Sequence, residues 1–419
     1  MPTPMCATPP ARGQTGKPFA GGLLQNWPLH VTLLACAAIL IARKLEAVAN
    51  PQFWAEDGTV FFHDAYVLGW HAFAHPYAGY LHVLPRFVAA IGSWFDPLWA
   101  PLVYVLGALA LTLYTAALTQ SSRSAFPTHP AFALAVVLVP DAGEVLLCLA
   151  NIQWVTTAAL LLVLLSADGK RWWQQAHDVT AVILIGLTGP ASVLLAPLFV
   201  LRAVRRKTAA SHVLCAVALV VAAIQVRAIC GDLQLLGVEG HRVAAAALPK
   251  VPGLRIGASL FAGTFVGYDY AWSVAVAMSA VTAVFIAALA LRHGAAREAR
   301  IVMAIVLVAL LAAALYRCRH DWETLRLPGF GARYFFPMQL IVLWLILATA
   351  CDRPRWVARS AAAAFVWIVA VNVPRLHESV LPDHDWASAA AKIRTGKEVS
   401  IAINPDPWQF TLPATNRGK

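Results

Sequence analysis

Long apolar runs separated by short polar connectors make up most of this sequence. The runs extend from Trp27 to Val373 and are about 15–22 residues long, close to the length that a helix needs to cross a bilayer. The strict alternation of apolar and polar residues that marks a membrane β-barrel is absent. The pattern therefore predicts an all-α polytopic membrane protein with about 9–11 transmembrane helices.

The same pattern divides the chain into three parts. Residues 1–26, which are rich in Pro, Gly and Thr, are expected to form a disordered cytoplasmic tail. Residues 27–373 form the transmembrane domain, and residues 374–419 form a short C-terminal tail. The stretch 51–86 is the first large loop, and its many Trp, Tyr and Phe residues predict short helices that lie at the membrane interface.

One apolar region, residues 179–208, is interrupted. Its two halves meet at a Gly- and Pro-containing stretch, Gly186–Ser192. Two interpretations stay open: a re-entrant pair of helices that rises from the cytoplasmic side to mid-membrane and turns back, or one continuous span kinked at Pro190.

The charges predict an orientation in the membrane. The chain is 60% hydrophobic and 13% charged, with a net charge of +11. The Lys and Arg residues gather in connectors, which is typical of cytoplasmic loops and argues against nucleic-acid binding. Four such clusters fall on one side of the predicted topology: 168–171, 202–207, 292–300 and 353–359. The loop 51–86 and the C-terminal tail are then periplasmic, and we expect a multi-pass protein of the bacterial inner (cytoplasmic) membrane.

The first loop carries an acidic pair, Glu56 and Asp57. One carboxylate could act as a general base while the other orients it, or the pair could hold a divalent cation such as Mg or Mn. No cofactor is otherwise indicated. The alternative is structural, with Asp57-Gly58 beginning a helix as its N-cap.

Arg333-Tyr334 stands at the mouth of a late span, where a lipid phosphate would lie. A guanidinium binds phosphate oxygens bidentately, so Arg333 is a candidate for a substrate phosphate, with anionic lipid headgroups as the alternative. His75 and His82 are candidate hydrogen-bond donors to substrate hydroxyls or phosphate. Further candidate substrate-binding residues are Arg86, Gln153, Trp154 and Arg319.

Other polar residues allow more than one interpretation. His71 and His75 have the i, i+4 spacing of a metal pair, although Gly69 and Pro76 disfavour a regular helix there. Polar residues within or beside predicted spans are functional candidates by default; these are Asp141, Glu144, Gln153 and Asp269. Glu144 could instead be the internal partner of an arginine.

Walker, GxGxxG, GxSxG, HExxH and CxxC motifs are missing, which argues against a nucleotide-driven or soluble-cofactor enzyme.

Together, the stretch Trp54-Ala55-Glu56-Asp57-Gly58, the many spans, the interrupted Gly/Pro region and Arg333-Tyr334 resemble the GT-C glycosyltransferases. The order of spans and loops is similar over most of the chain. Individual residues match only at the acidic pair and at Arg333-Tyr334. It is closest to small bacterial members that modify surface glycans such as O-antigen. The C-terminal tail is shorter than the soluble domain of larger members. A second acidic motif is not clear, although Asp321 or Glu323 could stand in for it.

The resemblance implies an inverting transfer of a sugar from a polyprenyl-phosphate carrier to a periplasmic glycan or lipid acceptor, for which Asp57 or Glu56 supplies the base. The expected partners are this donor, the acceptor and membrane lipids. Two alternatives remain: a transporter or flippase of lipid-linked sugars, and a glycan polymerase or ligase.

Overall fold

The chain is mostly helical, and several of its helices are long enough to span a membrane. The computed structural model describes residues 27–232, 245–263, 272–294, 296–319, 322, 325, 331–378 and 380–414, without the side chains of 245–247. Within these ranges six helices are long and apolar enough to cross a bilayer: Pro97–Thr119, Ala209–Gly231, Trp272–Leu291, Arg297–Arg317, Ala332–Ala350 and Arg355–Arg375. A multi-pass helical membrane protein is therefore the fold class, while the count of 9–11 spans stays a prediction.

The regular elements follow one another in a simple order. The helices are α1 (Leu29–Arg43), α2 (Glu46–Ala49), α3 (His63–Leu68), α4 (Val83–Gly92), α5 (Ala100–Thr119), α6 (Pro130–Leu138), α7 (Ile152–Leu165), α8 (Trp172–Gly186), α9 (Ala191–Arg206), α10 (Ala209–Gly231), α11 (Ser259–Phe261), α12 (Trp272–Leu291), α13 (Arg297–Arg317), α14 (Ala332–Ala350), α15 (Arg355–Asn372) and α16 (Trp386–Arg394). Wide, π-type turns at Asp57–Phe62 and Gly253–Ala258 lead into α3 and α11. The tail adds a two-stranded antiparallel sheet, β1 (Val399–Ala402) and β2 (Gln409–Leu412), which the sequence pattern did not predict.

One end of the helix bundle, here called the basic face, is held by arginine–aspartate pairs. Arg202 Nη2 lies 2.7 Å from Asp168 Oδ1, and Arg123 Nη2 lies 2.6 Å from Asp178 Oδ1. Arg300 likewise pairs with Asp352. These contacts join the basic connectors in two sets, and the pair of Arg205 with Glu298 links one set to the other. The four clusters therefore lie at one end of the bundle, while the assignment of that end to the cytoplasm stays a prediction.

The opposite end, here called the loop face, is formed where the C-terminal tail packs on the first loop. The backbone N–H of Ala55 donates to the carbonyl of Asn404 over 2.5 Å. The rings of Phe53 and Trp386 lie 4.7 Å apart. A Cβ added to Gly58 would stand 2.8 Å from Ile403 Cδ1, so a larger residue here would have to displace the Ile403 side chain of the tail. The C-terminal tail therefore covers part of the first loop.

The interrupted region forms a helical hairpin, α8 and α9. Asp168, just before α8, binds Arg206 at the end of α9 over 2.9 Å, so both outer ends lie on the basic face. The turn between the helices bonds to the first loop: the Gly189 N–H donates to the Leu81 carbonyl over 2.9 Å. The predicted reversal of the chain is confirmed, whereas a single span kinked at Pro190 is wrong. Because the turn meets the first loop, the hairpin reaches the loop face and does not end halfway through the bundle, as the re-entrant interpretation predicted.

An irregular segment, residues 139–151, links α6 to α7 deep in the bundle. Most of its apolar residues are fully buried, which a membrane protein tolerates where protein replaces water as the hydrogen-bonding partner. Arg43 is one of the protein groups that take the place of water here, because its Nη1 donates hydrogen bonds to the carbonyls of Val137 and Val139 over 2.6 and 2.9 Å. Lys44 Nζ donates to the Gly143 carbonyl over 3.0 Å. The end of α1 thus fixes the segment directly beneath the first loop.

Candidate functional site

Asp57 is enclosed where the first loop meets the segment 139–151. The left-handed φ of Ala55, 36°, turns the backbone just before it. Asp57 Oδ1 accepts a hydrogen bond from the Ala150 N–H over 2.7 Å, and the Cys148 thiol lies 3.9 Å from Oδ2. Its carboxylate therefore joins two parts of the chain. The alternative of a helix N-cap is wrong, because the cap position is Glu56 and no side chain caps this helical turn.

Burial shifts the protonation of Asp57 to near neutral pH. It raises the pKa of the carboxyl from its usual 3.8 to about 7, and the charge of Glu56 adds to the rise. The hydrogen bond from Ala150 and the charge of Lys44 act in the opposite direction. A carboxyl with this pKa can both take up and release a proton at physiological pH, as a general base requires.

A narrow cavity of about 60 Å³ reaches Asp57 from the side of α1. Lys44, Trp54, Tyr104 and Asn404 are among the residues that line it. The Lys44 ammonium lies 5.3 Å from the centroid of the Trp54 ring. A cation and an aromatic plane therefore flank the carboxyl.

Glu56 belongs to a second group of residues, here called the acid–arginine cluster: Glu56, Tyr77, Glu144, Trp154, Arg333 and Tyr334. Glu56 Oε1 accepts a hydrogen bond from the Tyr77 hydroxyl over 3.3 Å. Arg333 Nη1 lies 3.7 Å from Glu144 Oε2. Burial raises the pKa of Tyr77, the charge of Glu56 raises it further, and the charge of Arg333 lowers it. Glu56 and Arg333 therefore act on the same hydroxyl, and sequence reasoning had placed neither Tyr77 nor Lys44 at the site.

Several polar atoms at this cluster are buried without a hydrogen-bonding partner. They are Glu56 Oε2, Glu144 Oε2, Gln153 Oε1 and Trp154 Nε1. Leaving such an atom unpaired costs about 1–3 kcal/mol, so a concentration of them indicates a place where water or a ligand binds. The Trp154 and Tyr334 rings meet edge-on, with centroids 5.0 Å apart, and form one wall.

Glu144 has the arginine partner that the sequence suggested. Its pair with Arg333 confirms that prediction, and burial raises the pKa of Glu144 while the charge of Arg333 lowers it. Asp141 lies between two more arginines, with Arg255 Nη1 at 3.5 Å and Arg375 Nη2 at 3.6 Å. Asp141 and Glu144 of the irregular segment thus bind three arginines from later parts of the chain on the loop face.

The other loop candidates take part in a separate network. Arg86 is 2% exposed, and its Nη1 donates to Asp64 Oδ2 over 3.0 Å. His82 is 1% exposed, and burial lowers the pKa of its imidazole to about 3, so the ring is neutral. The contacts of Arg86 and His82 hold the loop together, and their predicted role in substrate binding stays a prediction. His75 is exposed, with Nδ1 3.3 Å from Asp64 Oδ2, and its role stays a prediction.

Four other candidate residues are not seen at the acid–arginine cluster. Arg319 donates to the Tyr316 carbonyl over 3.1 Å and stacks on the Tyr316 ring, so its described contacts are with the end of its own helix. Asp269, Asp321 and Glu323 lie outside the described residues.

The part of the chain that the structure describes brings together no group of three or more His, Cys, Asp or Glu side chains suited to a metal. Glu56 and Asp57 bind different partners, so their arrangement does not fit a shared cation.

Comparisons with protein-family models, curated proteins and solved structures find no match. The interpretation of the site therefore rests on its own geometry. Of the candidates, Glu56, Trp154, Arg333 and Tyr334 belong to the acid–arginine cluster, whereas Asp57 lines the separate cavity beside Lys44.

Proposed function

We propose that this chain is a membrane glycosyltransferase of GT-C type that transfers a sugar from a polyprenyl-phosphate carrier, with inversion, to a glycan or lipid acceptor. The observation that carries the proposal is that Glu56 and Arg333 meet at the Tyr77 hydroxyl on the loop face, beside buried polar atoms that have no hydrogen-bonding partner. The positive-inside rule assigns the basic face to the cytoplasm, so the site is periplasmic in an inner membrane.

Sugar transfer needs one base and one anion-binding group, placed on opposite sides of the anomeric carbon. Asp57 takes the proton of the acceptor hydroxyl while the hydroxyl oxygen bonds to that carbon. The bond from the carbon to the phosphate oxygen breaks, and the polyprenyl phosphate leaves with the electron pair. The pKa of Asp57 suits this role because a base acts best near its own pKa. Glu56, bound to Tyr77, orients the acceptor.

Arg333 stabilises the phosphate that leaves. Its guanidinium lies at the start of α14 and is held by Glu144 at 3.7 Å, a distance that leaves donors for a ligand. Charge grows on the leaving phosphate as the bond breaks, so a fixed cation there lowers the barrier. The Trp154 and Tyr334 rings next to it offer apolar faces to a sugar or to the first isoprene units.

Release of the lipid carrier is the direct test. Purified full-length protein is incubated with a panel of polyprenyl-phosphate sugars and candidate acceptors, and free polyprenyl phosphate is measured by mass spectrometry. We expect release with at least one sugar, and loss of release in Glu56→Gln but not in Glu398→Gln, an exposed glutamate of the tail. Movement of intact donor across vesicle membranes without release would instead favour a transporter. Joining of whole glycan chains would favour a polymerase or ligase.

The transfer rate should depend on pH through Asp57. Because burial raises its pKa to about 7, the carboxyl is protonated and inactive as a base below that value. We expect kcat/KM to fall about tenfold per pH unit below pH 7 and to level off above it. Loss of stability does not explain such a fall: the folded pKa lies above the unfolded value, so this group stabilises the fold at low pH and that contribution is lost as pH rises through 7. A profile flat from pH 5 to 8 would contradict the assignment.

A further inference from the structure

A groove on the basic face, far from the acid–arginine cluster, is formed where the ends of α7 and α9 meet the start of α13. Its volume is about 610 Å³, within the range of ligand sites. Its apolar wall includes Leu164, Leu198, Leu201 and Val302. The groove therefore offers a hydrocarbon surface beside a candidate membrane span, α13.

The polar part of the groove is cationic. Arg202, Arg205 and Arg206 line it, with Glu298 as the acid among its lining residues. Arg202 is 6% exposed, and its Nε is buried without a hydrogen-bonding partner. Its Nη1 donates to the carbonyls of Val163 and Leu164 over 2.8 and 3.1 Å, which keeps the guanidinium in place at the end of α7.

Arg205 is the arginine that can exchange its partner. Its Nη1 lies 2.6 Å from Glu298 Oε1, and the two side chains are 58% and 73% exposed. An ion pair this exposed contributes little to stability, so an incoming anion can replace the glutamate. Arg206, by contrast, is bound to Asp168 and the Ser166 carbonyl and stays fixed.

We infer that this groove binds one anionic phospholipid, with the phosphate at the exposed guanidinium of Arg205 and an acyl chain along Leu198, Leu201 and Val302. An excess of arginines attracts anionic headgroups, and guanidinium donors match phosphate oxygens. The apolar wall selects a lipid over a free phosphate, because only a lipid covers it. The inference is independent of the proposed function.

Native mass spectrometry of the purified full-length protein tests the inference, with phosphatidylglycerol, phosphatidylcholine or inorganic phosphate added to the detergent. We expect one phosphatidylglycerol to be retained in preference to phosphatidylcholine, and inorganic phosphate not to displace it. Arg205→Gln should weaken retention about fivefold, and Glu298→Gln should strengthen it because Arg205 is freed. Leu201→Trp should weaken it by filling the groove without a change of charge.

The matched control is Arg297→Gln. Arg297 is exposed at the start of the same helix but does not line the groove, and its loss removes the same charge from the same face. We expect no change in retention. Equal weakening by Arg297→Gln and Arg205→Gln, or displacement of the lipid by inorganic phosphate, would overturn the inference.

Discussion

Asp57→Asn should reduce sugar transfer by about 10²–10⁴-fold, the usual contribution of a general base. The substitution removes the proton acceptor and little else. The amide oxygen of asparagine can still accept the hydrogen bond from the Ala150 N–H, which fixes the position of the side chain. Burial already disfavours the ionised carboxyl, so replacement by a neutral amide of the same size should leave the free energy of unfolding unchanged or slightly raised.

The measurement is the rate of polyprenyl-phosphate release, together with the thermal unfolding midpoint of the same preparation. Asp406→Asn is the matched control, because Asp406 is an exposed residue of the tail. Release within a factor of three of the wild-type rate in Asp57→Asn would reject Asp57 as the base. If Glu56→Gln then abolished release, the base would be Glu56.

The layout of the helices follows from hydropathy and charge, because each apolar run must be buried in lipid or protein and each basic connector must reach water. The hairpin α8–α9 shows the limit of that information. Hydropathy alone leaves open whether the Gly/Pro stretch Gly186–Ser192 kinks or reverses the chain. The outcome depends on contacts such as the hydrogen bond between Gly189 and Leu81, which lie 108 residues apart in the sequence.

The candidate site was predictable in part. Glu56, Asp57 and Arg333 stand out because charges beside apolar runs are costly unless they have a role. Tyr77 and Lys44 carried no such signal, since an interfacial tyrosine and a lysine at the end of a span are common. The enclosure of Asp57 by Ala150 arises from the irregular segment 139–151, whose path no periodic pattern encodes.

Loss of the phosphate contact should have the second large effect. Arg333→Gln should lower kcat/KM for the lipid donor by about 10²–10³-fold, the range found when one preorganised donor is removed from a charge that develops in the transition state. The substitution also leaves Glu144 without its partner, which could distort the site by itself. Glu144→Gln, made alone and together with Arg333→Gln, separates the two effects.

If Arg333 binds the substrate phosphate, the double variant stays as inactive as Arg333→Gln, while Glu144→Gln alone keeps most of its activity because the guanidinium remains. If Arg333 serves only to neutralise Glu144, removal of both charges restores transfer, and the phosphate assignment is wrong. Arg359→Gln, an exposed arginine on the basic face, controls for the loss of one positive charge and should not change the rate. The cycle thus distinguishes an arginine that acts on the reaction from one that only balances a buried acid.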